Sequence, residues 1–136
     1  MYSMGIEKVR EKYDNYSKVL NRLAEALKRE DSDELILDAV IQRFEFTYEL
    51  SWKLLKSYLE YNGIADVRTP REAFKEAFAA GIIKEGELWI DMLNDRNLTT
   101  HTYDEKAARH IYEKIKHKHF AILNTLKDSI SGELQL

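Results

Sequence analysis

The stretch from Asp95 to Tyr103 holds the side chains best suited to chemistry on a phosphate. Arg96 can bind phosphate oxygens through parallel N–H donors, and the imidazole of His101 can transfer protons near neutral pH. On an ideal helix, residues five apart diverge by about 140°, so Arg96 and His101 would not meet. They can serve one ligand only if the helix ends in the β-branched stretch of residues 99–102, which we therefore expect.

Two further side chains belong to this group. Asn97 lies four residues before His101, close enough to hydrogen-bond the imidazole and orient it if the last helical turn holds. Tyr103 adds a hydroxyl just before Asp104, which can cap the next helix. Because polar clusters at helix junctions are commonly capping networks, the residues alone leave open whether this group has a function or is a structural brace.

Other candidate sites are weaker. Asp91 and Asp95 share a helix face and could hold magnesium, but no third carboxylate or histidine is placed with them along the sequence, so we expect a solvated acidic face. His110, His117 and His119 do not have the spacing of a metal motif, and His119 lies on an apolar stripe, as a core or interface residue would. The chain has no cysteine, which excludes zinc–thiolate sites and thiol nucleophiles. We expect no metal and no cofactor.

The elements that must position these residues are helices. One proline and five glycines in 136 residues predict an all-α chain, because both residues interrupt helices. We expect a single domain over residues 1–130 and a frayed tail over residues 131–136. There is no signal-peptide pattern and no apolar run of about 20 residues, so we expect a cytoplasmic protein with no membrane segment.

Apolar periodicity and capping signals predict about five helices. Thr69–Glu72 has the pattern of a capping box with proline at the first helical position, and Gly63 and Gly81 are expected to end helices. The third helix is expected to turn Ala73, Phe74, Ala77 and Phe78 inward. The predicted helices cover about residues 4–29, 33–61, 70–81, 86–98 and 104–129.

The second predicted helix is apolar over an unusually wide surface. One stripe runs from Leu37 to Tyr58, and an adjacent stripe runs from Ile36 to Leu54. A helix of this kind is buried on two sides. Either it is the central helix of the bundle, or its second side packs on another chain, and the sequence leaves both explanations open.

Charge bears on the class of ligand. The net charge of −3 argues against a protein that holds nucleic acid by bulk electrostatics. Residues 101–120, however, contain five Lys or Arg and three Asp or Glu, so an anionic ligand fits best near this segment.

Three motifs carry a family resemblance over nearly the whole chain. The Arg-x4-His-x-Tyr pattern of Arg96, His101 and Tyr103 resembles the signature of HepT-type toxins of the HEPN superfamily, and Asn97 matches the polar residue that follows the arginine. The stretch Arg43–Lys53 is one long motif, and Thr69–Glu72 followed by Trp89–Asn97 is the second; both resemble nucleotidyltransferase substrate-binding proteins. The two long motifs together are specific, whereas the short Arg-x4-His motif alone would be weak.

The resemblance implies a five-helix up-and-down antiparallel bundle that forms a homodimer. It also implies a partner, a minimal nucleotidyltransferase of the DNA polymerase β type. In related toxin–antitoxin pairs the HEPN protein is a metal-independent ribonuclease, and the nucleotidyltransferase silences it by transferring AMP to the motif tyrosine, which here is Tyr103.

On this basis we expect a ribonuclease toxin that acts on RNA, with Arg96 and His101 as catalytic residues. An isologous dimer would bring two copies of His101 together as base and acid, and the product would be a 2′,3′-cyclic phosphate. Arg96 would stabilise the transition state, Asn97 would orient the imidazole, and Tyr103 would position phosphate and accept AMP. The alternative is a non-catalytic nucleotide- or substrate-binding subunit of the nucleotidyltransferase, and a third interpretation makes the Arg–His pair a structural brace.

Overall fold

The polypeptide forms a bundle of helices, as the scarcity of helix-breaking residues predicts. The computed structural model describes residues 2–64, 66–101 and 104–135, and for residues 2–4 and 101 it describes the backbone alone. Within this part of the chain there are six α-helical segments: α1 (Tyr2–Leu27), α2 (Glu34–Tyr61), α3 (Pro70–Ala79), α4 (Gly86–Leu98), α5 (Glu105–Lys114) and α6 (Phe120–Leu134). A π turn, Ile115–His119, joins α5 and α6 into one continuous rod. The expected five-helix, all-α bundle is confirmed.

Helix α2 is the centre of the bundle. It contacts α1, α3, α5 and α6, and both of its predicted apolar stripes pack inside the same chain. Residues of the first stripe from Leu37 to Tyr58 are buried, and the flanking Ile36 and Leu50 of the second stripe are half-buried against the core. The width of its apolar surface therefore requires no second chain, and the explanation by a central core helix is the correct one for this feature.

Three helices begin where a side chain caps their first turn. The side chain of Asp33 accepts from the backbone N–H of Leu35 at the start of α2, and Asp104 accepts from Ala107 at the start of α5. Thr69 accepts from the N–H of Glu72 at the start of α3, with Pro70 as the first helical residue.

Two glycines fulfil the predicted role of ending helices. Gly63 follows α2 with φ +86°, and Gly81 follows α3 with φ +78°. Both values lie in the left-handed region that favours glycine at the end of a helix.

The last rod differs from the prediction in two respects. The apolar stripe on which His119 was expected runs from Ala108 to Leu126 and is buried. The rod is not regular, because the backbone N–H of Phe120 donates to the carbonyl of Ile115 and so forms a wider turn. It also continues beyond residue 130: residues 131–134, which we expected to fray, are helical, and Leu134 is buried.

The inward face of α3 is narrower than predicted. Ala73, Phe74 and Ala77 are buried, but Phe78 is 53% exposed, so its predicted inward position is wrong. Helix α3 lies at the surface and covers the core with one face only, and the ring of Phe78 lies instead against Gly86 at the start of α4.

Length and apolar character together decide whether a helix can cross a bilayer. In the part of the chain that the structure describes, no helix combines the two to the extent that a membrane span needs.

Candidate functional site

Arg96 lies in the last turn of α4, where its side chain is 28% exposed. Its Nη2 is 3.7 Å from Oε2 of Glu45 on α2, and its Nη1 donates to Oγ1 of Thr99 over 3.4 Å. The Nε atom is buried and has no hydrogen-bond partner among the described residues. The guanidinium is therefore held by Glu45 and Thr99, while part of the Arg96 side chain stays exposed.

Tyr48 lies close to Arg96 on the same face of α2 as Glu45. Burial raises the pKa of Tyr48 to about 12, against the opposing effect of the Arg96 charge. The phenol is thus protonated at neutral pH, and it presents a neutral group to the arginine.

The helix ends among the threonines, as predicted. Helix α4 stops at Leu98, and Thr99–His101 forms a 3₁₀ turn in which Oγ1 of Thr99 donates to the carbonyl of Arg96 over 2.7 Å. Because the chain leaves the regular α-helix at this turn, the divergence of about 140° that an ideal helix would impose on Arg96 and His101 does not apply.

The other predicted site residues are placed less completely. Asn97 is exposed, and its backbone carbonyl accepts from Oγ1 of Thr100. His101 ends the 3₁₀ turn, but its side chain lies outside the described residues, as does Tyr103 altogether. The predicted Asn97–His101 hydrogen bond therefore stays a prediction.

A polar cluster, buried at Asp95 and His119, begins at the residue before Arg96. Oδ2 of Asp95 is 2.6 Å from Nε2 of His119 and 2.7 Å from Nζ of Lys114. One turn earlier on α4, Asp91 pairs with Lys118 over 2.5 Å and with Lys114 over 3.5 Å. We call these five side chains the Asp95 cluster. It joins α4 to the end of α5 and to the π turn.

The protonation states of the cluster follow from burial and pairing. Burial lowers the pKa of His119, an effect that Asp95 only partly opposes, so the imidazole is neutral at neutral pH. The Lys118 hydrogen bond lowers the pKa of Asp91. Burial lowers the pKa of Lys114, but its pairing with Asp95 and Asp91 outweighs this effect and raises it overall. Two carboxylates thus face two ammonium groups, and the cluster is close to neutral.

The prediction that no histidine joins Asp91 and Asp95 is wrong. Carboxylate oxygens of both residues and a ring nitrogen of His119 lie within 4.8 Å of one another, as metal ligands would. Lys114 and Lys118, however, already place two positive charges on these carboxylates. Since a bound cation would have to displace them, the donor set favours an internal ion-pair network over a metal site.

Sequence reasoning missed Glu45, Tyr48 and His119 as neighbours of the site. Glu45 and Tyr48 lie within a motif that the sequence did single out, and their spacing of three residues puts them on one face of α2. The expected position of His119 on the apolar stripe is confirmed. Its partner Asp95 lies on another helix, so no pattern of neighbouring residues predicts their contact.

Comparison with known proteins supports one family. The model of the family described as nucleotidyltransferase substrate binding protein like matches residues 11–131. A probable ribonuclease HepT of Haemophilus influenzae is 39% identical over 87 residues, which are 61% of this chain and 59% of that protein. The chain thus spans less than two thirds of the length of this relative.

Two solved structures share the fold. A protein from Thermus thermophilus is 32% identical, with a TM-score of 0.74 over 89% of this chain and 99% of that one. A tri-AMPylated Shewanella oneidensis HEPN toxin, solved in complex with an MNT antitoxin, has a TM-score of 0.74 at 16% identity and covers 91% of this chain and 96% of that one. The chain therefore belongs to the family described as nucleotidyltransferase substrate binding protein like.

Proposed function

We propose that this protein is a metal-independent endoribonuclease, the toxin of a toxin–antitoxin pair, with Arg96 and His101 as its catalytic residues. The observation that carries the proposal is the state of Arg96: a half-buried guanidinium, held by Glu45, with the turn to His101 directly after it. The 39% identity to a probable ribonuclease supports the same activity.

The proposed reaction needs two proton transfers and no metal. One His101 imidazole removes the proton of the ribose 2′-hydroxyl, and the 2′-oxygen attacks the adjacent phosphorus. The bond from phosphorus to the 5′-oxygen breaks, a second imidazole protonates that leaving oxygen, and a 2′,3′-cyclic phosphate remains. Arg96 stabilises the extra negative charge of the transition state, Asn97 orients the imidazole, and Tyr103 positions the phosphate.

The second imidazole comes from a second copy of the chain in a two-fold dimer. Two exposed apolar side chains lie close in sequence to Glu45 and Arg96 and are candidates for the contact between the two copies. Phe46, which follows Glu45, is 55% exposed, and Leu98, two residues after Arg96, is 50% exposed. If the two side chains join in one apolar patch rimmed by polar residues, that patch would be an interaction site.

The proposed partner is a minimal nucleotidyltransferase of the DNA polymerase β type, which acts as antitoxin. The Tyr103 hydroxyl attacks the α-phosphorus of ATP, AMP is transferred to the tyrosine oxygen and pyrophosphate leaves. The fold shared with an AMPylated HEPN toxin and the family name support this role. AMP on Tyr103 adds an anion near Arg96, which would oppose the binding of an RNA backbone.

A second function is favoured by the description of the family itself. In this alternative the chain is a non-catalytic subunit that presents a nucleotide or acceptor to the nucleotidyltransferase, and Arg96 and His101 only hold its phosphates.

One experiment separates the two functions. The purified protein is incubated with RNA in excess EDTA, and the new 3′ ends are identified by mass spectrometry. We expect cleavage with 2′,3′-cyclic phosphate ends. Intact RNA, combined with saturable binding of a nucleotide, would support the substrate-binding function instead.

A further inference from the structure

The Asp95 cluster is built around a single carboxylate oxygen. Lys114 and His119 both reach Oδ2 of Asp95, although they are five residues apart and would diverge by about 140° on an α-helix. The π turn between them, with its wider hydrogen-bonded ring, brings residues five apart onto nearly the same face. The irregular turn is thus what allows both side chains to meet one acceptor.

Two pairs of residues that are neighbours in sequence connect the Asp95 cluster to Arg96: Phe44 with Glu45 on α2, and Asp95 with Arg96 on α4. The His119 ring stacks on Phe44 of α2 at a centroid distance of 5.6 Å and an interplanar angle of 20°. The next residue of α2, Glu45, pairs with Arg96, and the residue before Arg96 is Asp95. Three side-chain contacts and two peptide links therefore form a closed loop through Phe44, Glu45, Arg96, Asp95 and His119.

We infer that Asp95 and His119 are positioning residues for Arg96: their buried pair fixes the last turn of α4 against α2, so that the guanidinium is presented to a phosphate in one orientation. Asp95 and His119 are 5% and 0% exposed and take no part in the chemistry themselves. The inference deepens the proposed function and rests on it for the identity of the phosphate, which would be that of RNA.

The local backbone explains why such a clamp is needed. Among the described residues, no side chain caps the N-terminus of α4, and the buried side chains of this helix are Trp89, Met92, Leu93 and Asp95. At its last turn the chain leaves the α-helix and passes into a 3₁₀ turn. The short, charge-assisted contact at Asp95 fixes the rotation of that last turn one residue before Arg96.

The test compares matched substitutions at the two clamp positions. His119→Gln keeps a neutral N–H donor for Asp95, His119→Leu removes it, and Asp95→Asn removes the charge. His117→Gln is the control, because His117 lies in the same π turn but pairs with Glu113 on the surface. Circular dichroism and melting first select variants that remain folded.

Two measurements are then made on the folded variants. The first follows the NMR signal of the Arg96 Nε–H group during titration with inorganic phosphate. The second separates kcat from KM in RNA cleavage. We expect His119→Leu and Asp95→Asn to shift the Arg96 signal, weaken phosphate binding and lower kcat by roughly tenfold to a hundredfold, with a small change in KM. His119→Gln should retain most of each property, and the control should match the wild type.

The outcomes distinguish the inference from the function on which it rests. An altered Arg96 signal and weaker phosphate binding in the Asp95 and His119 variants support the inference even if the wild type cleaves no RNA. An unchanged Arg96 signal and unchanged phosphate binding in folded His119→Leu and Asp95→Asn would overturn it, even if the wild type is an active ribonuclease.

Discussion

Asp95 and His119, 24 residues apart in the chain, meet at 2.6 Å between Oδ2 and Nε2 inside the bundle. The next residue along α4 is Arg96, which the same bundle leaves partly open to solvent. Asp95 of the buried carboxylate–imidazole pair and the partly exposed Arg96 are thus adjacent in sequence and lie in the same turn of α4. This relationship links the stability of the bundle to the geometry of the candidate site.

We predict that Asp95→Ala destabilises the protein by up to about 3 kcal/mol, because it leaves Lys114 and His119 without their shared acceptor. The estimate is at the lower end of the range for a broken buried pair, since Lys114 is 27% exposed. Urea unfolding measures the change. Asp31→Ala, which breaks the more exposed pair with Arg109, should cost about 1 kcal/mol or less. Equal losses for the two variants would contradict a special role of the cluster.

Stability should fall below pH 6.5 because of His119. Burial lowers the pKa of this imidazole in the folded protein, whereas the unfolded chain titrates near 6.5. Between these two values the unfolded state binds more protons, so the free energy of unfolding decreases as the pH drops. Urea unfolding at pH 7.5 and pH 5.5 gives the difference for the wild type. His119→Gln should show a smaller difference and His117→Gln an unchanged one, and the same pH dependence in all three proteins would be evidence against a buried neutral His119.

We predict a homodimer with residues near Arg96 at its interface. Light scattering should give about twice the chain mass of 16.0 kDa. Phe46→Glu and Leu98→Glu should shift the protein towards the monomer, because each places a charge in the proposed apolar contact. Leu35→Glu is the control, since Leu35 is also exposed on α2 but lies about three helical turns from Phe46. A mass near 16 kDa for the wild type at all concentrations would remove the dimer and the shared site.

We predict that the nucleotidyltransferase partner transfers AMP to Tyr103. The protein is incubated with the partner, ATP and magnesium, and mass spectrometry locates the added AMP. Tyr103→Phe should stay unmodified and keep its ribonuclease activity in the presence of the partner, whereas the wild type should lose activity. AMP on another residue, or none, would exclude Tyr103 from regulation.

The sequence predicts the helices well where the signal is local. The capping box at Thr69–Glu72, the cap at Asp104 and the helix end at the threonines all depend on neighbouring residues, and the structure has them. The prediction for Phe78 is wrong because apolar periodicity shows on which face of a helix a residue lies. It does not show how much of that face the rest of the protein covers.

The candidate site is predictable only in part for the same reason. The sequence motif predicts both Arg96 and the turn that follows it. The contact of Asp95 with His119 depends on a π turn, and no residue type in the sequence predicts that turn. Likewise, the wide apolar surface of α2 has the same pattern whether α5 and α6 or a second chain cover it. Only the packing of the complete bundle separates these cases.

The measurement that tests the central claim most directly is RNA cleavage by two alanine variants in excess EDTA. We predict that Arg96→Ala and His101→Ala abolish cleavage while helicity and mass in solution stay unchanged. The matched controls are Arg109→Ala, which removes an arginine held by Asp31, and His117→Ala, which removes a surface histidine, and both should cleave like the wild type. Undiminished cleavage by His101→Ala or Arg96→Ala, or cleavage that requires a metal, would contradict the proposed ribonuclease.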